Sequence, residues 1–372
     1  MLRYLTAGES HGKALVAILE GLPAGLKLNT KEIDGELKRR QSGYGRGKRM
    51  EIESDKVEII SGLRKGHSLG SPIALLIKNK DFKIDKLAQV TCPRPGHADL
   101  AGILKYDTQD ARDILERASA RETAVRVAVG AICKGFLAEF GIDVISHTTY
   151  LCSVDAQTGH LSVKDIARNA SKSSLNCADK YAERLMIRRI EQAKEKGDTV
   201  GGGFEIIALN VPPGLGSCMH FDRKIDARLA GELMSIQAVK GVEFGLGFEG
   251  ARLFGSQFHD PIAIQGKKIT RKRNNAGGVE GGMTNGEPLL VTCAMKPIST
   301  LMKPLDSIDI KKKAPSKAAV ERSDICAIVA ASVVGENSTA FILAQAVMEK
   351  FGGDSIGETM RNYKGYMRAL KL

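Results

Sequence analysis

Apolar positions recur along the chain with two periods, one typical of strands and one typical of helices. Short β-rich runs predict strands over residues 3–6, 14–19, 57–61, 72–78, 143–150, 204–211 and 288–295. Apolar positions three and four residues apart predict helices over 31–41, 119–140, 179–196, 222–238 and 324–351. Because strands and helices interleave, we predict a mixed α/β (α+β) fold.

The predicted helix 119–140 is apolar around nearly its whole circumference. Its apolar members include Val125, Val127, Ala128, Val129 and Ile132. A helix of this kind is buried between layers or between subunits. Ser119 could cap its start, and Glu122 would then complete a capping box. A helix N-terminus beside arginines also binds phosphate, so Arg117 and Arg121 give the same segment a functional interpretation.

The composition is that of a globular protein with an excess of cations. The chain has 55 Lys+Arg against 43 Asp+Glu, a formal charge of +12, and 43% hydrophobic residues, close to the globular average. Aromatic residues reach only 5% and Trp is absent. This composition weakens any nucleic-acid interpretation that depends on stacking bases on aromatic rings.

The cysteines and the N-terminal residues indicate a reducing compartment. The seven cysteines are scattered singly, so neither a disulfide framework nor a zinc site is indicated, and we expect no metal. The start, MLRYLTAGESHG, lacks the apolar stretch of a signal peptide. Since no uncharged apolar run approaches the length of a membrane span, we expect a cytoplasmic protein without a membrane partner.

The most basic stretch of the chain, residues 38–49, alternates arginines with glycines. Its sequence, KRRQSGYGRGKR, holds six cations in twelve residues, and four of them are Arg. Such a run could be a solvated loop or a nucleic-acid patch. However, the planar guanidinium matches carboxylates and phosphates bidentately, and glycines let the backbone approach an anion closely. The pattern therefore favours a small polyanionic ligand.

Three further short motifs carry candidate chemistry. Residues 8–12, GESHG, place His11 in a turn after a strand, and residues 94–99, RPGHAD, place His97 in another turn. Residues 321–324, ERSD, bring an arginine and Asp324 to the start of the last predicted helix. Turns after strands are common places for functional residues, and the pKa of histidine suits proton transfer at neutral pH.

Taken together, these motifs resemble those of the chorismate synthase family. GESHG, RRQSGYGRG, RPGHAD, RASARET, QAVKGVEFG, EGGMTNG, KPIST and ERSD occur in the family's order, from Leu2 to about Lys350. The resemblance implies one catalytic domain over 1–372, a β-α-β sandwich, a homotetramer and bound reduced FMN, with an association with NADP. The implied reaction is the 1,4-anti elimination of phosphate from 5-enolpyruvylshikimate 3-phosphate, which yields chorismate for aromatic amino acid biosynthesis.

The resemblance also assigns roles to single residues. The implied catalytic residues are His11 as general acid, His97 for the protonation of the reduced flavin, and Asp324 for removal of the C6 proton. The implied substrate-binding residues are Ser10, Arg40, Arg46, Arg49, Arg94, Arg121 and Arg322. The implied flavin-binding residues are Arg117, Ala118, Ser119, Gln237, Ala238, Gly281, Lys296, Pro297, Ile298, Ser299, Thr300 and Arg322. Gln237 and Ser299 depart from the commonest family pattern.

Two other functions compete with this interpretation. The charge of +12 and the pI of about 9.3 would suit a nucleic-acid-binding protein, whose affinity would fall steeply with salt. A flavin-dependent oxidoreductase with net redox turnover could use the same pocket, and it would consume NAD(P)H stoichiometrically with product. Because the chain carries no appended oxidoreductase domain, the resemblance implies an external source of reduced flavin.

Overall fold

The computed structural model describes residues 1–47, 54–266, 268–321 and 323–370. The strands, numbered β1 to β17, are Arg3–Ala7, Ala14–Glu20, Glu58–Ile59, Leu63–Arg64, His67–Ser68, Ile73–Lys78, Asp143–Leu151, Val154–Asp155, Gly202–Leu209, Val239–Phe244, Ile262–Gln265, Lys268–Arg271, Val279–Glu280, Met283–Thr284, Leu289–Met295, Asp306–Asp309 and Ala314–Lys317. The α-helices, numbered α1 to α11, are Thr30–Gln41, Asp99–Tyr106, Arg112–Ala118, Thr123–Ala138, Val163–Ala170, Lys180–Lys196, Ile225–Met234, Gly247–Gly250, Gly255–Phe258, Ile328–Phe351 and Ile356–Ala369. Short 3₁₀ turns span Ile84–Lys86, Ala120–Glu122 and Phe221–Arg223.

An antiparallel sheet near the N-terminus forms one outer layer. Its strand order is β1-β2-β6-β3. Alternate residues of β2 are fully buried, namely Leu15, Ala17 and Leu19, whereas Ile18 between them is exposed. This alternation follows from the two-residue period of a strand, so one face of the sheet belongs to the core.

A second antiparallel sheet forms the opposite layer. Its strand order is β10-β15-β9-β7-β8. The residues that β9 turns to the core are Phe204, Ile206 and Ala208. Between β7 and β9 the register shifts near Thr148 and Tyr150, and the Tyr150 ring occupies the space above Gly203, where a Cβ would lie 2.0 Å from it.

Helices fill the space between the two sheets. Helix α4 packs on strands β2 and β6, helix α10 packs on β7 and β9, and the two helices pack on each other. Gly130 allows this close contact, since a Cβ there would lie 2.4 Å from the backbone oxygen of Asn337. The predicted mixed α/β class and the β-α-β sandwich are confirmed, as is the burial of the apolar helix over 119–140.

A buried cluster of charges joins three helices inside this layer. Glu336 of α10 accepts hydrogen bonds from Arg39 of α1 at 2.8 and 2.9 Å, and from Ser146 at 2.8 Å. It also pairs with Lys134 of α4, which lies 3.4 Å from Glu36. Burial raises the pKa of Glu336, but Lys134 and Arg39 outweigh it and hold that pKa below its ordinary value. We call these residues, Glu36, Arg39, Lys134 and Glu336, the core charge cluster.

By length and composition alone, helix α10 is long and apolar enough to cross a membrane. In this fold, however, 89% of the relevant window is buried inside the protein. Glu336 lies in the middle of this helix and is itself 1% exposed. The helix is therefore the central core helix of the sandwich.

Two predicted helix starts differ from the structure. Over 119–140 the α-helix begins at Thr123, because Ser119 is extended with φ −64 and ψ 141 and leads into the turn Ala120–Glu122. Ser119 accepts from the N–H of Arg121, but the Glu122 side chain accepts from Gln237, so the predicted capping box is wrong. The last long helix begins at Ile328 rather than 324, because the N–H of Ile325 donates to the carbonyl of Gly45.

Other elements were shorter than predicted or not predicted. The helix predicted over 222–238 spans only Ile225–Met234, with a 3₁₀ turn at Phe221–Arg223 before it. The elements that the pattern did not predict include Asp99–Tyr106, Arg112–Ala118, Val163–Ala170, Ile356–Ala369 and the edge strand Val239–Phe244.

Candidate active site

The turn after β1 places His11 against a buried carboxylate. Gly8 begins the turn at φ +108, where a Cβ would lie 2.4 Å from the carbonyl oxygen of Ala14. The backbone N–H of His11 donates to Oε2 of Glu116 at 2.8 Å, and Nδ1 of the ring lies 2.9 Å from Oε1 of the same residue. The N–H of Ser10 donates to the carbonyl of Glu116 at 2.9 Å. Helix α3, which carries Glu116, therefore holds both the backbone and the ring of His11.

Glu116 is charged although it is buried. Burial raises its pKa, but the hydrogen bonds from His11 and the charge of Arg112 outweigh that effect and lower the pKa below its ordinary value. Arg112 lies 3.5 Å from Oε1 of Glu116 and donates to Glu321 at 2.7 Å. Arg112 therefore links the His11 turn to the segment that leads to Asp324.

Two arginines lie against one buried acid, Asp55, and a third, Arg46, lies close enough to Arg40 for their charges to interact. Nη1 of Arg121 donates to Asp55 at 2.7 Å, and Nη1 of Arg40 lies 3.6 Å from the same carboxylate. Burial, together with the positive charges of Arg121 and Arg46, outweighs the attraction of Asp55 and lowers the pKa of Arg40 to about 10. We call Arg40, Arg46 and Arg121 the arginine cluster.

Hydrogen bonds to neighbouring residues hold the side chains of Arg40 and Arg121 in place. Nε of Arg40 donates to Oγ1 of Thr123 at 2.9 Å and its Nη2 donates to the carbonyl of Ala120 at 2.8 Å. Nε of Arg121 donates to Oδ1 of Asn79 at 2.9 Å. Nη1 of Arg40 is buried and has no hydrogen-bond partner among the residues that the structure describes. A buried cationic N–H of this kind is suited to donate a hydrogen bond to an anionic ligand.

Asp324 lies against the glycine-rich loop that carries Arg46. Oδ2 of Asp324 is 3.0 Å from Nη1 of Arg46, and Oδ1 accepts the N–H of Gly47 at 2.6 Å. Gly45 has φ +83, and a Cβ there would lie 3.1 Å from the Cβ of Cys326. The glycines therefore allow the loop to fold directly onto the segment that contains Asp324.

The His11 turn and the arginine cluster are adjacent. The Oγ of Ser119 donates to the buried Oγ of Ser10 at 3.3 Å. Nδ2 of Asn79 donates to the carbonyls of Glu9 and Gly12 at 3.1 and 2.8 Å, while its Oδ1 accepts from the arginine cluster. The structure thus brings the GESHG turn, the RASARET segment, the glycine-arginine loop and Asp324 into one region.

His97 belongs to a second, neighbouring group of residues. Its Nδ1 lies 2.5 Å from Oδ1 of the fully buried Asp99, and Nη2 of Arg94 lies 3.0 Å from the same ring nitrogen. Nη1 of Arg94 donates to Oγ1 of Thr300 at 2.8 Å. Burial raises the pKa of Asp99, but the bonds from His97 and Arg94 hold it well below its ordinary value. Arg94 is therefore used to hold Asp99, His97 and Thr300 together.

The predicted flavin-binding residues come from five separate segments, and two of these, 237–238 and 296–300, are bonded to each other. Lys296 donates through Nζ to the carbonyl of Gly96 at 2.6 Å, which places the segment 296–300 beside His97. The backbone N–H of Lys296 donates to the carbonyl of Ala238 at 2.9 Å, and Nε2 of Gln237 donates to Glu122 at 3.1 Å. Residues 237–238 therefore connect the segment 296–300 to the start of α4.

Not every predicted site residue is placed in this region. Arg49 and Arg322 lie outside the described residues. Gly281 lies in the turn between β13 and β14 with φ +60, next to Gly282, whose carbonyl accepts from Ile225. The guanidinium of Arg117 donates to Thr6 and Gly8, so it ties helix α3 to strand β1.

Comparison with known proteins decides the family. Residues 2–348 match the family model described as "Chorismate synthase". The chain belongs to the chorismate synthase family. It is 52% identical over 391 residues to the chorismate synthase of Geobacter sulfurreducens, with 100% of both chains covered. It is 51% identical over 384 residues to that of Desulforudis audaxviator, covering 100% of this chain and 98% of the relative.

A solved structure agrees with the family assignment. A crystal structure titled "Crystal Structure of Chorismate Synthase" superposes with a TM-score of 0.83 at 45% identity, and covers 100% of this chain and 98% of that chain. The chain is thus an enzyme of the chorismate synthase family, and a flavin-dependent enzyme with a small-molecule substrate. Neither the nucleic-acid interpretation nor the net-redox interpretation is supported by these comparisons.

The residues of this family member fit a flavin. Oε1 of Gln237 is buried and has no hydrogen-bond partner among the described residues, so the site offers an acceptor to a ring N–H. Lys296 and Ser119 lie in the segments beside it, and a bound flavin phosphate would find a cation and a hydroxyl there. Within the described ranges, no cluster of three or more metal-ligating side chains occurs.

Four functional residues of the site were not found from the sequence. They are Asp55, Asn79, Asp99 and Glu116. Each is a single polar residue whose partners are far away in the sequence or lie in the same turn. Glu116, for example, bonds to His11, which is 105 residues away along the chain. For two of them the sequence offered a signal, which was their place next to or within a motif. Glu116 directly precedes RASARET, and Asp99 ends RPGHAD.

Proposed function

We propose that this chain catalyses the 1,4-anti elimination of phosphate from 5-enolpyruvylshikimate 3-phosphate, with reduced FMN bound, and releases chorismate. One observation carries the proposal: a histidine and a carboxylate, His11 and Asp324, border the same arginine cluster. An elimination needs an acid near the leaving group and a base near the departing proton. In the overall reaction the C3–O bond breaks, the C6 proton leaves, and no net redox change occurs.

The arginine cluster binds the anionic substrate in this proposal. A phosphomonoester carries about −1.5 to −2 charges at neutral pH, and the substrate adds two carboxylates. Arg40, Arg46 and Arg121 present guanidinium groups to these anions, with Ser10 as a neutral donor. We expect Arg49 and Arg322 to add to this charge. Arg94 has a different role, because its donors already hold Asp99 and Thr300.

His11 donates a proton to the departing phosphate. Its ring is held by Glu116 at Nδ1, so Nε2 is the atom available to the leaving group. Such general acid catalysis typically contributes about 10²–10⁴-fold to the rate.

Asp324 assists removal of the C6 proton. Its carboxylate is ion-paired to Arg46 of the arginine cluster at 3.0 Å. Bound reduced FMN would supply electron density and a basic ring nitrogen to the reaction. Arg46 holds the carboxylate of Asp324 in place.

His97 and the segments around it hold the flavin. Asp99 and Arg94 orient the His97 ring, so the ring can exchange a proton with the reduced flavin. The proposed flavin-binding residues are Arg117, Ala118, Ser119, Gln237, Ala238, Gly281, Lys296, Pro297, Ile298, Ser299, Thr300 and Arg322. The contacts of Arg117 with strand β1 give it a positioning role in this set.

The cellular setting of the reaction is part of the proposal. We propose a homotetramer in the cytoplasm that receives reduced flavin from an external reductant. The exposed apolar side chains on the outer face of the first sheet, Leu5 and Ile18, are compatible with subunit contacts.

The test is an anaerobic assay with chemically reduced FMN and the enolpyruvyl substrate. We expect chorismate and inorganic phosphate in equal amounts, without consumption of NAD(P)H in proportion to product. Oxidised FMN in place of reduced FMN is the control and should give no turnover. Product formation that consumes NAD(P)H one for one would contradict the proposal and favour net redox chemistry.

A further inference from the structure

The carboxylate of Glu116 faces two N–H donors of a single residue. Its Oε2 accepts the backbone N–H of His11 at 2.8 Å, and Nδ1 of the ring lies 2.9 Å from its Oε1. The Glu116 side chain is 1% exposed, so water does not compete for these bonds. This arrangement limits which hydrogen-bonding states His11 can adopt.

A carboxylate gives each donor an oxygen of its own, although Nδ1 also lies 3.0 Å from Oε2. An ionised carboxylate offers two acceptor oxygens, whereas an amide offers one oxygen and one NH₂ group. The backbone N–H cannot change its role, so Oε2 must be an acceptor. Because the pKa of Glu116 is lowered, burial being outweighed by the bonds from His11, the second oxygen is also an acceptor and the proton belongs on Nδ1.

The opposite nitrogen of the ring faces a different environment. Nε2 of His11 lies 3.9 Å from Oδ2 of Asp81, and Asp81 pairs with Lys83 at 2.9 Å. Within the described parts of the chain, the carboxylates that pair with the ring are Glu116 and Asp81, which contact Arg112 and Lys83 respectively. Glu116 touches the ring, and Asp81 lies beyond hydrogen-bond distance.

We infer that Glu116 is a positioning residue that holds the proton on Nδ1 of His11 and so makes Nε2 the proton-donating atom. This inference rests on the proposed function, in which His11 is the general acid. The protonated ring gives its Nε2 proton to an oxygen of the departing phosphate. The ring is then neutral with Nδ1–H still bonded to Glu116, and a later proton from solvent restores Nε2–H.

Glu116→Gln tests the inference because it should reverse the tautomer. We expect the single amide oxygen to serve the backbone N–H and the NH₂ group to take the place of Oε1, 2.9 Å from Nδ1, where its N–H makes Nδ1 the acceptor. The neutral ring should therefore carry its proton on Nε2. Donation from that neutral ring would leave an imidazolate, so we expect kcat to fall by about 100-fold or more with KM changed by less than about threefold.

The tautomer is measured by nitrogen NMR of histidine-labelled protein without flavin or substrate. The His11→Gln variant identifies the His11 signals. In the neutral ring, wild-type His11 should show Nδ1–H and Glu116→Gln should show Nε2–H. Asp81→Asn removes an equal charge on the other side of the ring and should keep Nδ1–H. Glu116→Asp keeps two acceptors and should keep Nδ1–H and more of the rate than the Gln variant.

Several results would overturn the inference. Wild-type His11 with a neutral Nε2–H ring would do so without any variant, so the test survives if Glu116→Gln does not fold. Nδ1–H retained in a folded Glu116→Gln protein, wild-type kcat in that variant, or a reversed tautomer in Asp81→Asn would also contradict it. If wild-type protein produced no chorismate while the tautomer reversed as expected, the proposed function would fall and the positioning of His11 would stand.

Discussion

At the scale of single residues, the site depends on side chains that hold other side chains. Asp55 holds Arg121 and lies 3.6 Å from Arg40, Asp99 joins Arg94 to His97, and Glu116 holds His11. These carboxylates are fully or almost fully buried. Buried acids keep their charge only when they are paired, so each one forces its cationic or N–H partner into a single geometry.

Asp324→Asn tests the residue proposed to assist removal of the C6 proton. We expect kcat to fall by about 10²–10⁴-fold and the slowing by deuterium at C6 to become larger, because proton removal becomes limiting. KM should also rise, since asparagine has one acceptor oxygen where Gly47 N–H and Arg46 now bind two. Steady-state rates with protiated and C6-deuterated substrate measure both effects.

Arg46→Lys is the matched comparison for that experiment. It keeps the positive charge beside Asp324 but loses the planar fork, so it should raise KM without enlarging the isotope effect. A lowered kcat in Asp324→Asn together with an unchanged isotope effect would mean that Asp324 only positions the loop.

The candidate site residues stand out in the sequence more clearly than the residues that support them. His11, Arg40, Arg46, Arg121 and Asp324 can be singled out because they sit in motifs with unusual local composition, and the fold brings these motifs into one region. Asp55 and Asn79 have ordinary neighbours, and their role comes from contacts made 66 and 42 residues away. A local pattern cannot carry such a contact, so these supports were visible only in the fold.

At the scale of secondary-structure elements, alternation predicted the four strands of the first sheet and β7, β9 and β15 of the second, but not β8 or β10. End effects limited the prediction of the helices. Leu15, Ala17 and Leu19 are buried on one face of β2, which is what the two-residue period requires. Helix α10 starts late because Ile325 and Cys326 bond to the Gly45 carbonyl. Apolar residues there gave no sign of that competing bond.

Helix α1 carries neighbouring arginines with different partners, and this predicts how it is anchored. Arg39 binds Glu336 in the core charge cluster. Arg40 belongs to the arginine cluster and donates to Thr123 of α4. Glu336→Gln removes the acid of a buried pair, so we expect a loss of about 3–5 kcal/mol of unfolding free energy at neutral pH. Urea unfolding followed by circular dichroism measures it.

The pH dependence of this effect follows from the lowered pKa of Glu336. Its folded pKa lies below the ordinary 4.5, so its contribution is present above about pH 4.5 and is lost as the pH falls toward the folded value. The difference between wild type and Glu336→Gln should therefore shrink below about pH 4.5. A difference that stays constant with pH would show that the charge of Glu336 is not responsible.

At the scale of the whole molecule, one helical layer serves both sheets, and we expect the chain to unfold as one domain. Helix α4 lies on the first sheet, α10 lies on the second, and the two pack closely at Gly130 and Asn337. Neither sheet can lose its helix without exposing the other. Hydrogen exchange in increasing denaturant should give the same midpoint for peptides from β2 and from β9. Two separate midpoints would divide the chain into two folding units.

The central position of α10 also affects how the protein is made. This helix begins only at residue 328, so a ribosome completes both sheets of the sandwich before the helix that covers the second sheet emerges. Until then, the apolar surfaces of α4 and β9 that face α10 are exposed, and such surfaces favour aggregation. Contacts between such distant segments also slow folding. Nascent chains of this protein should therefore need chaperone binding during synthesis, and removal of α10 should yield insoluble protein rather than a half-sandwich.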